Sequence, residues 1–147
     1  MDRMRHDTVV ALDLEGTLIS NAMSQIPRHG LFRFLELCER HVHRVVLYTA
    51  VRRELAIDIV QRLAREGDAP SWLASIEYVE WSGSKKDLRF VDAESVLLVD
   101  DQRGYILASQ EDRWIAIQEF EPPYTIDHEL QRVWRIIGER LGVVEQW

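Results

Sequence analysis

Apolar residues follow two rhythms along this chain. Short runs at residues 8–13 (TVVALD), 44–49 (RVVLYT), 76–81 (IEYVEW), 95–100 (SVLLVD) and 114–117 (WIAI) read as strands. Where such a run is rich in Val, Ile and Leu and ends in a polar residue, it suits a parallel sheet buried on both faces. Between the runs the spacing changes to three and four. Leu31, Phe34, Leu35, Cys38 and Val42 share one face of a helix, as do Leu55, Ile59, Val60 and Leu63, in a helix ending near Gly67. Leu130, Val133, Trp134, Ile137 and Leu141 mark a third, each set being the apolar stripe of an amphipathic helix. Gly16, Pro27 and Gly30 punctuate a loop, Ser82-Gly83-Ser84 a turn, and Pro122-Pro123 a break, with a short helical turn through Leu88 and Phe90. Strands alternating with helices predict an α/β domain: three layers, α/β/α, Rossmann-like, around a mainly parallel sheet. With no repeat, low-complexity tract or linker, residues 1–147 read as one domain.

Composition narrows the class of protein. A chain of 147 residues, 46% apolar and 29% charged, buries about 70% of its unfolded surface and folds without staples. One cysteine, Cys38, excludes an internal disulfide framework and a multi-cysteine zinc site. No apolar run approaches the roughly 20 residues that cross a bilayer. The opening MDRMRH is basic, but the apolar residues 9–12 are too few for a signal peptide and meet Asp13. A cytoplasmic protein without membrane contact is expected. A net charge of −7 argues against general nucleic-acid binding, because such a chain repels phosphate backbones. The basic residues are arginines except for Lys85 and Lys86. Arginine does not substitute freely where a compact ammonium is needed, so the pair stands out.

Three of the strands end in polar residues: Asp13, Thr49, and Asp100 with Asp101. Ligands of open parallel sheets bind outside the carboxyl ends of the strands, where these side chains can converge. Asp13-Leu14-Glu15-Gly16-Thr17-Leu18 resembles the first motif of the haloacid dehalogenase superfamily, an apolar strand followed by Asp-x-Asp-x-Thr. The stretch VVLYTA ending at Ala50 resembles the second motif, Lys86 the third, and Val99-Asp100-Asp101 the fourth, in order. Lys86-Asp87-Leu88 followed by SVLLVDD is similar to the NLI-interacting-factor-like branch, which includes the small phosphatases acting on the RNA polymerase C-terminal domain. The likeness covers almost the whole chain.

The resemblance implies a HAD-like phosphatase domain and a role for each residue. Asp13 is the nucleophile that forms an aspartyl-phosphate. Magnesium is held by Asp13, the Glu15 carbonyl and a carboxylate of Asp100 or Asp101, with Asp101 preferred for direct contact. Thr49 and Ala50 bind phosphate, and Lys86, preferred over Lys85, neutralises developing charge. Glu15 departs from the family's usual aspartate, the general acid and base; its carboxylate sits one methylene, about 1.5 Å, further out. Neither the gap after Thr17 nor that between Thr49 and Lys86 holds a folded cap, so an open site for a phosphorylated protein is expected. The alternatives are a non-catalytic binding module, or a capless phosphatase for nucleic-acid ends or small metabolites.

The remaining polar and aromatic residues have plainer readings. Arg28, Arg52 and Arg53 fall near the strand-end loops, to pair with surface acids or steer an anionic peptide. His41 and His43 read as helix-end or surface groups, Cys38 as core, and Trp72, Trp114 and Trp134 as packing. Trp81, before the lysine loop, reads as core with substrate contact as the second option.

Overall fold

The computed structural model describes residues 6–147, so the basic opening at residues 1–5 lies outside the described residues. Five strands, β1 (His6–Leu12), β2 (Val42–Leu47), β3 (Glu77–Tyr78), β4 (Val96–Asp100) and β5 (Trp114–Ala116), form one sheet in the order β3-β2-β1-β4-β5. Every pairing is parallel. From β1 the chain builds outward through β2 to β3, then returns to the other side of β1 for β4 and β5. The reversal lies between β1 and β4, and in such sheets it opens a crevice at the carboxyl ends of those two strands. Leu12 sits level with Leu47 on one side and Val99 on the other, so three strands end together.

Alternation along β1 divides the core. Val10 and Leu12 face the helices α1 (Leu31–His41), α2 (Arg53–Arg65) and α3 (Glu129–Leu141), whose buried stripes include Phe34, Leu35, Ile59, Leu63, Val133 and Ile137. Val9 and Ala11 face the opposite way, toward Val79, Leu88, Val91 and Ile106. That second cover comes from loops and 3-10 turns, including Leu88–Phe90 and Arg103–Tyr105. The fold class is the expected α/β one, with helices concentrated on one face of the sheet. Among the described residues no helix is long and apolar enough to cross a membrane.

Most elements differ in extent from their sequence pattern by one or two residues, as β1 (against 8–13) and β2 (against 44–49) do, and two differences have a clear cause. The α1 stripe continues to Val42, but the helix stops at His41 and Val42 opens β2, its N–H still donating to the Cys38 carbonyl. The expected strand over 76–81 pairs only at Glu77 and Tyr78, with one further bond from Val79 N–H to the Leu47 carbonyl. It is an edge strand with a single neighbour. Between β1 and α1 the chain folds back on itself through isolated bridges, Glu15 with Ile19 and Ile19 with Pro27.

Candidate active site

Asp13 is the first residue beyond β1, and its N–H still donates to the Val99 carbonyl at 3.0 Å. The sheet therefore fixes its backbone. Its buried carboxylate receives the Lys86 ammonium on Oδ1 at 2.9 Å. Lys86 also donates to Asp100 Oδ2 at 2.5 Å, and the other Asp100 oxygen accepts the Gln102 N–H at 2.9 Å. The lysine is fully buried, with its nitrogen 4.7 Å from the centre of the Tyr105 ring. Lys85 points elsewhere: it is exposed and donates to the Gly104 carbonyl. Of the two lysines, Lys86 is the one set between the strand-end carboxylates.

Asp101 completes the cluster. Oxygens of Asp13, Asp100 and Asp101 all lie within 4.8 Å of one another. One ammonium among three carboxylates leaves two negative charges unbalanced when all three are ionised. Burial raises the Asp13 pKa well above the usual carboxylate range; Lys86 opposes the shift and Asp100 adds to it. Burial likewise raises Asp100, against the pull of Lys86. For Lys86 burial works against the charged form, yet Asp13 and Asp100 together hold its pKa above the ordinary value. A hard divalent cation with oxygen ligands matches both the donor set and the missing charge.

The cluster opens into a cavity of about 560 Å³ whose walls include Asp13, Glu15, Thr49, Ala50, Asp101 and Glu119. Asp100 does not face it. Glu15 and Asp13 do, as their two-residue spacing predicts, and Glu15 Oε2 accepts the Ala22 N–H at 2.6 Å. Thr49, buried two residues beyond β2 where the sequence pattern puts the strand's end, accepts the Val51 N–H on its hydroxyl oxygen at 3.0 Å. Among the described residues nothing takes the hydroxyl proton, so it can be given to an anion. Gly16 has φ +75°, and a Cβ there would lie 2.4 Å from Asp101 Oδ2. Only glycine satisfies both the left-handed backbone and the close carboxylate.

Three residues carry more of the site than their sequence reading assigns. The buried Thr17 hydroxyl lies 3.1 Å from Asp13 Oδ2 and 3.2 Å from Asp101 Oδ1, joining two carboxylates. Its place in the first motif was the available signal. Trp114 packs at the edge of the sheet and donates its indole N–H to the Asp100 carbonyl. Arg28 does pair with an acid, Asp127, but it is buried rather than at the surface, and it binds the carbonyls of Gly16 and Thr17. No periodicity marks an arginine inside a loop, so nothing in the pattern distinguished it.

The plainer readings mostly hold. Arg52 and Arg53 pair with Glu54 and Glu80 at the surface. His41 ends α1 and pairs with Glu145, while His43 is exposed. Cys38 is core, and burial pushes its thiol pKa up. Trp72 packs against the core, and Trp134 is buried within it. Trp81 is partly buried against Tyr48 and Tyr105, donates to the Thr49 carbonyl, and also lines a shallow recess adjoining the cavity.

Compared with known families, residues 8–142 match the model of the NLI interacting factor-like phosphatases. No curated protein matches the chain.

Proposed function

This chain belongs to the NLI interacting factor-like phosphatase family, and we propose that it is a magnesium-dependent phosphomonoester hydrolase whose nucleophile is Asp13. One observation carries the reading: Asp13, Lys86, Thr17 and Asp101 meet at the base of an open cavity that Glu15 and Thr49 also line. Magnesium, held by Asp13, Asp101 and the Glu15 carbonyl, would lower the charge repulsion between the nucleophile and an anionic phosphate. Asp100, with both oxygens engaged by Lys86 and Gln102, is the orienting member of its pair.

An Asp13 oxygen attacks phosphorus, and the bond from phosphorus to the ester oxygen breaks. Glu15, in its acid form, gives that oxygen a proton. The Glu15 carboxylate then takes a proton from water as the water attacks the aspartyl-phosphate, releasing inorganic phosphate and restoring Asp13. Thr49 and the Ala50 backbone hold the phosphoryl oxygens, and Lys86 neutralises charge beside the nucleophile.

The cavity mouth is shaped by loops, and no separate folded unit covers it among the described residues. That openness favours a phosphorylated protein, whose own bulk displaces water. One domain over residues 1–147, placed in the cytoplasm, is part of this reading. The substitution of Glu15 for the family's aspartate favours a second reading, a phosphate-binding module without turnover.

A panel of phosphopeptides, nucleotides and sugar phosphates, assayed with magnesium and with EDTA, tests the proposal. Metal-dependent turnover preferring phosphopeptides, and lost in Asp13→Asn, is expected. Phosphate binding without turnover of any member would establish the second reading instead.

A further inference from the structure

We propose that Arg28 is a positioning residue for Glu15, an inference that rests on the acid–base role given to Glu15 above. Its guanidinium is nearly inaccessible, with 1% of the side chain exposed, and every N–H on it is used. Nε donates to Asp127 at 3.1 Å; Nη1 donates to the carbonyls of Gly16 at 3.1 Å and Thr17 at 3.2 Å. Nη2 donates to the Gln118 carbonyl at 2.7 Å and to Asp127 Oδ2 at 3.0 Å. The Phe120 ring covers the group at 5.2 Å.

Burying a guanidinium is costly, and an ion pair alone does not explain it, because Asp127 is partly exposed and could hold its partner at the surface. What burial adds is the grip on two successive carbonyls directly after Glu15. The Gly16 carbonyl is held a second time by the Phe120 N–H at 2.9 Å. One guanidinium thus ties the nucleophile loop to the segment between β5 and α3, whose Glu119 forms part of the cavity wall.

Asp13 has other anchors, the Val99 carbonyl and Lys86. The Glu15 carboxylate is held by the Ala22 N–H, a bond within the loop that Arg28 braces. Loosening that brace moves Glu15 more than Asp13. A lysine offers three donors from a single point and cannot span the same carbonyls and carboxylate in one plane.

The experiment compares Arg28→Lys with the starting protein in two ways. Amide hydrogen exchange should quicken at Gly16 and Ala22 and stay unchanged at Asp13. Turnover of a phosphoserine peptide should fall by about a hundredfold, the usual cost of misplacing a reacting group by 1 Å. Turnover of 4-nitrophenyl phosphate, whose leaving group needs little acid help, should fall far less. In a Glu15→Gln background Arg28→Lys should cost nothing further, a non-additivity that a general loss of structure does not produce.

Unchanged exchange at Ala22 overturns the proposal, as does an equal loss in both backgrounds. If Arg28→Lys does not fold, Asp127→Asn, which keeps the arginine and weakens its carboxylate partner, should give the same pattern at smaller size. If the starting protein hydrolyses no phosphomonoester, the proposed function fails, and the exchange result alone decides whether Arg28 sets the loop.

Discussion

At Glu15 one methylene separates this chain from the usual pattern of its family, and the residue tests whether the site turns over. Glu15→Gln keeps an acceptor for the Ala22 N–H but can neither give nor take the proton that both steps of the proposed reaction require. A fall of about a hundred- to ten-thousand-fold in kcat is expected from single-turnover assays on a phosphopeptide. Glu15→Asp should preserve or raise the rate. Activity of Glu15→Gln equal to the starting protein would make the residue structural. Asp100 and Asp101 divide differently. Asp101 borders the cavity, whereas Asp100 is saturated by Lys86 and Gln102. Calorimetric titration should show Asp101→Ala weakening magnesium binding more than Asp100→Ala, and the opposite ranking would reverse the assignment. The strand-end acids, Thr49 and the lysine pair were legible because residue type and order mark them. Arg28 was not, since its role comes from burial among carbonyls distant in sequence.

The long helices were readable because three- and four-residue spacing directly reports a face turned to the core. The 3-10 turns at Ser71–Ser75, Arg103–Tyr105 and Ala108–Arg113 carry no such rhythm, being too short for a stripe. β3 shrank to two paired residues because an edge strand has one partner to hold it. Helix α3 is tied to β5 and the residues just after it: Arg132 donates to the Ala116 carbonyl, and Glu129 binds Arg132 and accepts the Gln118 N–H at 2.9 Å. The Arg132 hydrogen bond is the chief cause holding Glu129 below the ordinary glutamate range. A carboxylate with a depressed pKa stabilises the folded chain above its unfolded value, about 4.5, and loses that contribution as pH falls through the folded value. Glu129→Gln should therefore cost about 1 kcal/mol at pH 7, and progressively less as the pH is lowered below 4.5. Urea unfolding across a pH series from 7 downward checks this; a cost independent of pH would show that the charge on Glu129 contributes nothing.

Taken whole, the molecule places the strand that leads into Asp13 at the centre of the sheet, with Thr49 just beyond the strand on one side and Asp100 at the end of the strand on the other, while loops bring in Glu15, Thr17 and Lys86. Alternating patterns announced a parallel α/β domain, but the order β3-β2-β1-β4-β5 is not written in any single segment. Nor was the uneven cover of the sheet, because loops that bury Val79, Val91 and Ile106 have no periodicity to betray them. The concentration of acid at the crevice has a global consequence. An ion bound only by the folded chain stabilises it by mass action, about 2.7 kcal/mol at a hundredfold excess over Kd. Magnesium should raise Tm accordingly, and the increase should disappear in Asp101→Ala. A Tm indifferent to magnesium would remove the ion from the proposed site.

Trp81 and Trp114 donate their indole N–H groups to the carbonyls of Thr49 and Asp100, at the ends of the strands on either side of β1. The protein thereby carries two native optical reporters at the crevice, one beside Thr49 and one beside Asp100. Emission from an indole depends on the polarity and rigidity around its ring, so filling the crevice should register without an added dye. Trp81→Phe and Trp114→Phe, each subtracted from the starting protein, would isolate the two contributions from the steady emission of Trp72, Trp134 and Trp147, letting arrival of an ion and of a phosphoryl group be followed as distinct events in real time.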